Sequence, residues 1–130
     1  MARVLLIEDQ APIRLVIRVN LELAGLEVVE AADGLLGLEL ARSGKPDLIL
    51  LDSILPGLDG WQVAHELLND PRTCGIPVVF LSAHADSSTR DRAIRLGALD
   101  YITKPFDPLA LPARIEEILK RAGATMQPGG

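Results

Sequence analysis

A run of apolar residues, Leu48-Ile-Leu-Leu51, led in by Asp47 and stopped by Asp52, constrains the fold of this chain more than any other feature. It is too short for a buried helix. With no polar alternation, it suits a strand covered on both faces, as in a parallel sheet flanked by helices. Asp52 then sits at the carboxyl end of that strand, the rim where open α/β sheets place their ligands, and Pro56-Gly57 and Asp59-Gly60 turn the chain away at once. Its carboxylate is expected to be rigidly held and still open to solvent.

The pattern recurs. Val4-Leu-Leu-Ile7 is a second buried strand and ends in Glu8 and Asp9, and Pro77-Val-Val-Phe-Leu81 is another and ends in Ser82. Residues 26–29 and 99–103 complete five strands, the last followed by Lys104-Pro105. Between them, Ile13, Val16, Ile17, Leu21 and Ala24 recur at helical spacing from Pro12 to Gly25, and Asp33 can cap a helix that reaches Gly44. Residues 61–68 and 87–96 form two more helices, and Asp107-Pro108 opens the last toward Gly123. Five strands alternating with five helices require right-handed crossovers, hence a parallel sheet with helices on both faces. Pro112 falls inside the last helical pattern, where an interior proline costs about 3 kcal/mol; that helix is expected to start late, with Pro112 in its first turn, or to kink there. Residues 1–123 thus read as one domain and 124–130 as a flexible tail.

At 130 residues and 48% hydrophobic content the chain can bury a substantial core. Its formal charge of −5 argues against a nucleic-acid surface, so no direct nucleic-acid contact is expected. The single cysteine, Cys74, cannot close an internal disulfide and has no metal-ligand spacing around it. The apolar stretch before Glu8 is too short for a signal peptide or a membrane span. A cytoplasmic protein with no membrane contact is the expectation.

The carboxyl ends of strands one, three, four and five collect Glu8 and Asp9, then Asp52, then Ser82, then Lys104. Taken singly these are ordinary caps and loop residues; their coincidence on one rim is the functional signal. Three crowded carboxylates repel, and a divalent cation such as Mg2+, which favours carboxylate, carbonyl and water oxygens, relieves the repulsion. A lysine supplies a point charge and a serine a hydroxyl donor, so the set suits an anion arriving at a carboxylate. The anion compatible with both Mg2+ and lysine is a phosphoryl group, with Asp52 as nucleophile and an aspartyl phosphate as product.

With these residues in hand, the sequence resembles the receiver domain of two-component response regulators from Val4 to about Arg121. The matching pieces are Leu-Leu-Ile-Glu8-Asp9, Asp47-Leu-Ile-Leu-Leu-Asp52 with Leu-Pro56-Gly-Leu-Asp-Gly60, Val-Val-Phe-Leu-Ser82-Ala83, Gly97-Ala-Leu-Asp-Tyr101 and Lys104-Pro105-Phe106. The resemblance implies a flavodoxin-like, doubly wound five-stranded parallel sheet of order 2-1-3-4-5. It implies that Asp52 is the phosphoacceptor, loaded from a phosphohistidine on a sensor histidine kinase or histidine phosphotransfer protein. Glu8, Asp9, Asp52 and the backbone carbonyl of Ile54 would hold the metal, Lys104, Ser82 and Ala83 would contact the phosphoryl group, and Ser82 with Tyr101 would form the switch. A cis peptide between Lys104 and Pro105 is implied as well. The output would be a downstream protein bound, or a phosphorylation-dependent homodimer formed, through helix 4, strand 5 and helix 5. By the same resemblance the domain signals and is not an enzyme, apart from assisting its own phosphotransfer and slow dephosphorylation. The family more often has two aspartates where this chain has Glu8-Asp9, and often threonine at Ser82.

His84 stands where a side chain can overhang the phosphoryl group and influence its hydrolysis; an exposed loop histidine is the plainer alternative. His65 reads as a surface residue. Leu35 and Leu36 mark either a docking patch or extra burial, and Trp61 is expected to pack near the acceptor loop. Other readings are less suited to the residues. A phosphatase of the haloacid dehalogenase type needs a second aspartate where Ile54 stands, and a flavodoxin-like cofactor binder needs Gly, Ser and Thr where this chain has acids. A receiver-like module that is never phosphorylated, used only for protein interaction, is opposed by the intact set Asp52, Ser82 and Lys104.

Overall fold

A computed structural model describes residues 2–126. Five parallel strands, β1 (Arg3–Ile7), β2 (Glu27–Ala31), β3 (Leu48–Asp52), β4 (Val78–Ser82) and β5 (Asp100–Thr103), form a single sheet in the order β2-β1-β3-β4-β5. Helices α1 (Ala11–Leu23), α2 (Gly34–Gly44), α3 (Gly60–Asn69), α4 (Ser87–Leu96) and α5 (Leu111–Met126) alternate with them. The flavodoxin-like, doubly wound architecture implied above is the one found.

The apolar runs bury both faces because alternate residues feed two separate cores. Leu5, Ile7, Ile49, Leu51, Val78 and Phe80 pack on the side of α2, α3 and α4. Val4, Leu6, Leu48, Leu50, Val79 and Leu81 pack on the other side, with Ile17 and Leu21 of α1 and Ile115 and Ile118 of α5. The register that pairs Ile7 with Leu51, and Asp52 with Leu81, brings the polar residues ending β1, β3 and β4 to one edge.

The starts of α2, α3 and α4 are specified by side-chain acceptors. Asp33 accepts from the amide of Leu36, Asp86 from that of Thr89, and Asp59 forms a reciprocal capping box with Gln62. Several boundaries shift by a few residues at most from those expected. Strand β2 begins at Glu27 rather than Leu26, because the Leu26 amide bonds back to the carbonyl of Leu21 and closes α1. Helix α5 starts late, at Leu111, the first of the two outcomes expected from Pro112: the carbonyl of Asp107 accepts from Ala110 and Leu111 in a preceding turn. Pro112 therefore falls in the first helical turn, where its missing N–H has no intrahelical partner to lose. The helix then runs to Met126, three residues into the stretch read as tail, and residues 127–130 lie outside the described residues.

Gly60 is a requirement of the site. A Cβ there would collide with the carbonyl oxygen of Asp52 and approach the Cα of Ser53 to 2.6 Å, both unyielding backbone. Gly60→Ala should lower stability by about 1–3 kcal/mol in chemical denaturation, although alanine is the better helix former. An unchanged or raised midpoint would show that the loop gives way freely.

Candidate functional site

The rim brings together the residues that end the strands. Glu8 is fully enclosed, Asp52 is 6% exposed and Asp9 faces solvent. One carboxylate oxygen from each lies within 4.8 Å of the others. Lys104, the first residue after β5, reaches across β4 and places Nζ 2.7 Å from Glu8 Oε1 and 3.0 Å from Asp52 Oδ2. The other oxygen of Asp52, Oδ1, accepts from the amide of Ile54 at 3.0 Å. The Asp52 carboxylate is thus held through both oxygens, and its opening to solvent is narrow. The Lys104-Pro105 peptide is cis.

One ammonium among three carboxylates leaves the pocket net negative, and the titration of its members follows. Burial pushes Glu8 up from 4.5 to about 7; Lys104 opposes this, while the neighbouring Asp52 adds to it. Lys104 is held above its ordinary value, because the two carboxylates outweigh its own burial. The shared contact thus favours the ammonium and still fails to offset the enclosure of Glu8, as expected when two anions divide one cation. Such a set of oxygens fits a hard divalent cation, which would supply the missing positive charge.

Ser82 is fully buried; its hydroxyl oxygen accepts from Ser53 Oγ at 2.8 Å and from the amide of His84 at 3.1 Å. Tyr101 is buried too, and its hydroxyl donates to the carbonyl of His84 at 2.6 Å, which ties β5 to the loop after Ser82. The His84 side chain and Ala83 are exposed, as is Ile54. Trp61, in the first turn of α3, stacks on Phe80 with ring centroids 4.6 Å apart, and Phe80 in turn lies 6.4 Å from Tyr101. Leu35 is 70% exposed and Leu36 38%, so extra burial is not their role. His65 and Cys74 are at the surface.

Two participants escaped the sequence reading. Ser53 lay beside Asp52 and its position next to a buried strand end was a usable signal. Arg14 carried none: its guanidinium donates to the backbone carbonyls of Glu8 at 2.8 Å and Asp9 at 3.1 Å while pairing with Glu30, so it pins the acidic loop from α1.

Fold and site together define a class: a doubly wound α/β domain with an acidic pocket and a lysine at the carboxyl edge of its sheet. A family model described as the response regulator receiver domain matches residues 4–116. The PhoB phosphate regulon transcriptional regulatory protein of Pseudomonas aeruginosa is 42% identical over 120 residues, covering 92% of this chain and 52% of the relative. Its Escherichia coli counterpart is 44% identical over 119 residues, with coverage of 92% and 52%. Among solved structures, the receiver domain of Francisella response regulator 1452 has a TM-score of 0.87 at 30% identity, covering 93% of this chain and 98% of that one. The chemotaxis response regulator CheY4 of Vibrio cholerae gives 0.85 at 27%, with 91% and 98% covered. The chain belongs to the response regulator receiver family of two-component signalling. It spans about half the length of the curated relatives it matches. Among the described residues no helix is long and apolar enough to cross a membrane.

Proposed function

We propose that this domain accepts a phosphoryl group on Asp52 from a phosphohistidine of a sensor histidine kinase or histidine phosphotransfer protein, and that the acyl phosphate switches the face built by α4, β5 and α5. The observation that supports it most is the hold on Asp52, with Ile54 and Lys104 each bonded to one oxygen and Glu8 and Asp9 alongside. A carboxylate oxygen of Asp52 forms the bond to phosphorus as the P–N bond of the donor breaks, its electron pair staying on the imidazole. Glu8, Asp9, Asp52 and the Ile54 carbonyl would hold Mg2+, which when bound neutralises the charge that acids and phosphoryl oxygens bring together. Lys104, with Ser82 and Ala83, would contact the phosphoryl oxygens.

The new charge and acceptor oxygens then draw the Ser82 hydroxyl from its bond with Ser53 and favour the conformer in which Tyr101 follows it. The Tyr101–His84 hydrogen bond supports this coupling, because it joins the loop after Ser82 to β5. Downstream, we propose a protein partner or a phosphorylation-dependent second copy at that face, with nucleic acid reached only indirectly. His84 is proposed to overhang the acyl phosphate; a His84→Ala variant with an unchanged dephosphorylation rate would remove that role.

Intact mass spectrometry with Mg2+ and acetyl phosphate tests the acceptor. The wild type should gain one phosphoryl group, removed by hydroxylamine and prevented by EDTA added before the donor, and Asp52→Asn should gain none. A wild type that stays unmodified would favour a receiver-like interaction module instead.

A further inference from the structure

On a chain of formal charge −5, one helix carries its arginines without acidic partners. Every arginine outside α4 pairs with a carboxylate. Among the described residues Arg90, Arg92 and Arg95, all on α4, have none. The acids nearby do not compensate. Asp86 is committed to capping its own helix, Glu66 leans toward Arg42, and Asp91, one turn before Arg95, does not pair with it.

Arg92 and Arg95 border a groove between α3 and α4 of about 420 Å³, which Trp61, Gln62, His65 and Leu96 complete. Its aromatic side is fixed: Trp61 is backed by Phe80, and the Arg92 guanidinium lies 4.1 Å from its ring centroid. An arginine covered on one face by an aromatic ring, as Arg92 is, keeps its N–H edge for a planar anion, and bidentate carboxylate recognition is what such an edge does well. Trp61 and Leu96 are half-buried and offer apolar contact beside the charges.

We infer that the α3–α4 groove is a docking site for an acidic segment of a protein partner, two carboxylates engaging Arg92 and Arg95 while an apolar side chain rests on Trp61 and Leu96. An acidic peptide fits better than nucleic acid, because Arg92 and Arg95 are the cations lining the groove and a chain of formal charge −5 would repel an extended polyanion. The site uses none of the rim acids and stands whether or not Asp52 is phosphorylated.

The test titrates the unphosphorylated protein with the synthetic peptide Glu-Glu-Leu-Asp-Glu-Leu at low salt, reading the fluorescence of the single tryptophan and amide shifts by NMR. The acidic peptide should perturb Trp61 and the amides of α3 and α4, more weakly as salt rises. A counterpart with lysine for each acid should do neither. Arg95→Glu, at an exposed residue, and the Arg92→Glu/Arg95→Glu pair should each retain the dispersed NMR spectrum, and the pair should weaken binding at least ~10-fold. No binding at millimolar peptide, equal binding by the double variant, shifts confined to another face, or tighter binding of a short DNA duplex in the groove would each overturn the assignment.

Discussion

Phe80→Ala should lower the stability of this domain by about 3–5 kcal/mol, the range for emptying a buried aromatic site whose walls cannot collapse. Phe80 is fully enclosed on β4, its ring centroid 4.6 Å from that of Trp61 and 6.4 Å from that of Tyr101. Its loss removes both the buried area and the aromatic geometry, the latter worth about 0.5–1.5 kcal/mol per pair. Trp61 would also lose its backing beneath Arg92, so the emission maximum of the native state should move to the red. Phe80→Leu, which keeps most of the volume, should cost well under half as much. Equilibrium denaturation decides the matter: a loss below ~1 kcal/mol for the alanine variant would mean that the sheet closes over the gap and that the aromatic series carries little energy.

The second large effect runs the opposite way. Glu8→Gln should stabilise the metal-free protein at pH 8, by up to about 3 kcal/mol, while weakening Mg2+ binding. The sign follows from an acid whose value rises from 4.5 in the unfolded chain to about 7 in the fold. Below 4.5 the carboxyl is neutral in both states and costs nothing. Between 4.5 and 7 the unfolded chain loses its proton first, so native stability falls as pH rises. Above 7 the penalty is complete, at 1.36 kcal/mol per unit on the order of 3 kcal/mol. Glutamine removes the charge and keeps an oxygen that can accept from Lys104. The two proteins should therefore be nearly equal in stability at pH 4.5 and diverge toward pH 8 in EDTA. Adding Mg2+ should then raise the wild type and leave the variant behind, since a ligand that binds only the native state stabilises it by mass action. A gap between wild type and variant that does not change with pH would show that the Glu8 charge is already neutralised in the fold.

These expectations together describe a site in which stability is given up for function. Three acids around one lysine are a poor arrangement for folding without metal and a good one for receiving a cation with a phosphoryl group. Asp100 shows the contrasting case. Burial pushes that carboxyl up, but the amide of Tyr101 together with Arg114 and Arg121 outweighs it and holds the group below the ordinary carboxylate range. One acid with two arginines is settled; Glu8 and Asp52 with one lysine are not.

What could be known without coordinates was whatever depends on neighbours in the chain. Short apolar runs closed by Asp52, by Glu8-Asp9 and by Ser82 identify buried strands and their ends, because a two-residue repeat with both faces apolar has few other homes. Asp33 before its helix and Gly97 after another are equally local. The tertiary structure alone decided how groups far apart in sequence meet. Lys104 lies 96 residues from Glu8, yet one ammonium bridges Glu8 and Asp52. That contact depends on the order of the strands and on the register between them. The hold of Arg14 on the acidic loop and the Ser53–Ser82 bond belong to the same class, because each joins groups that only the packing of separate elements brings within hydrogen-bond distance.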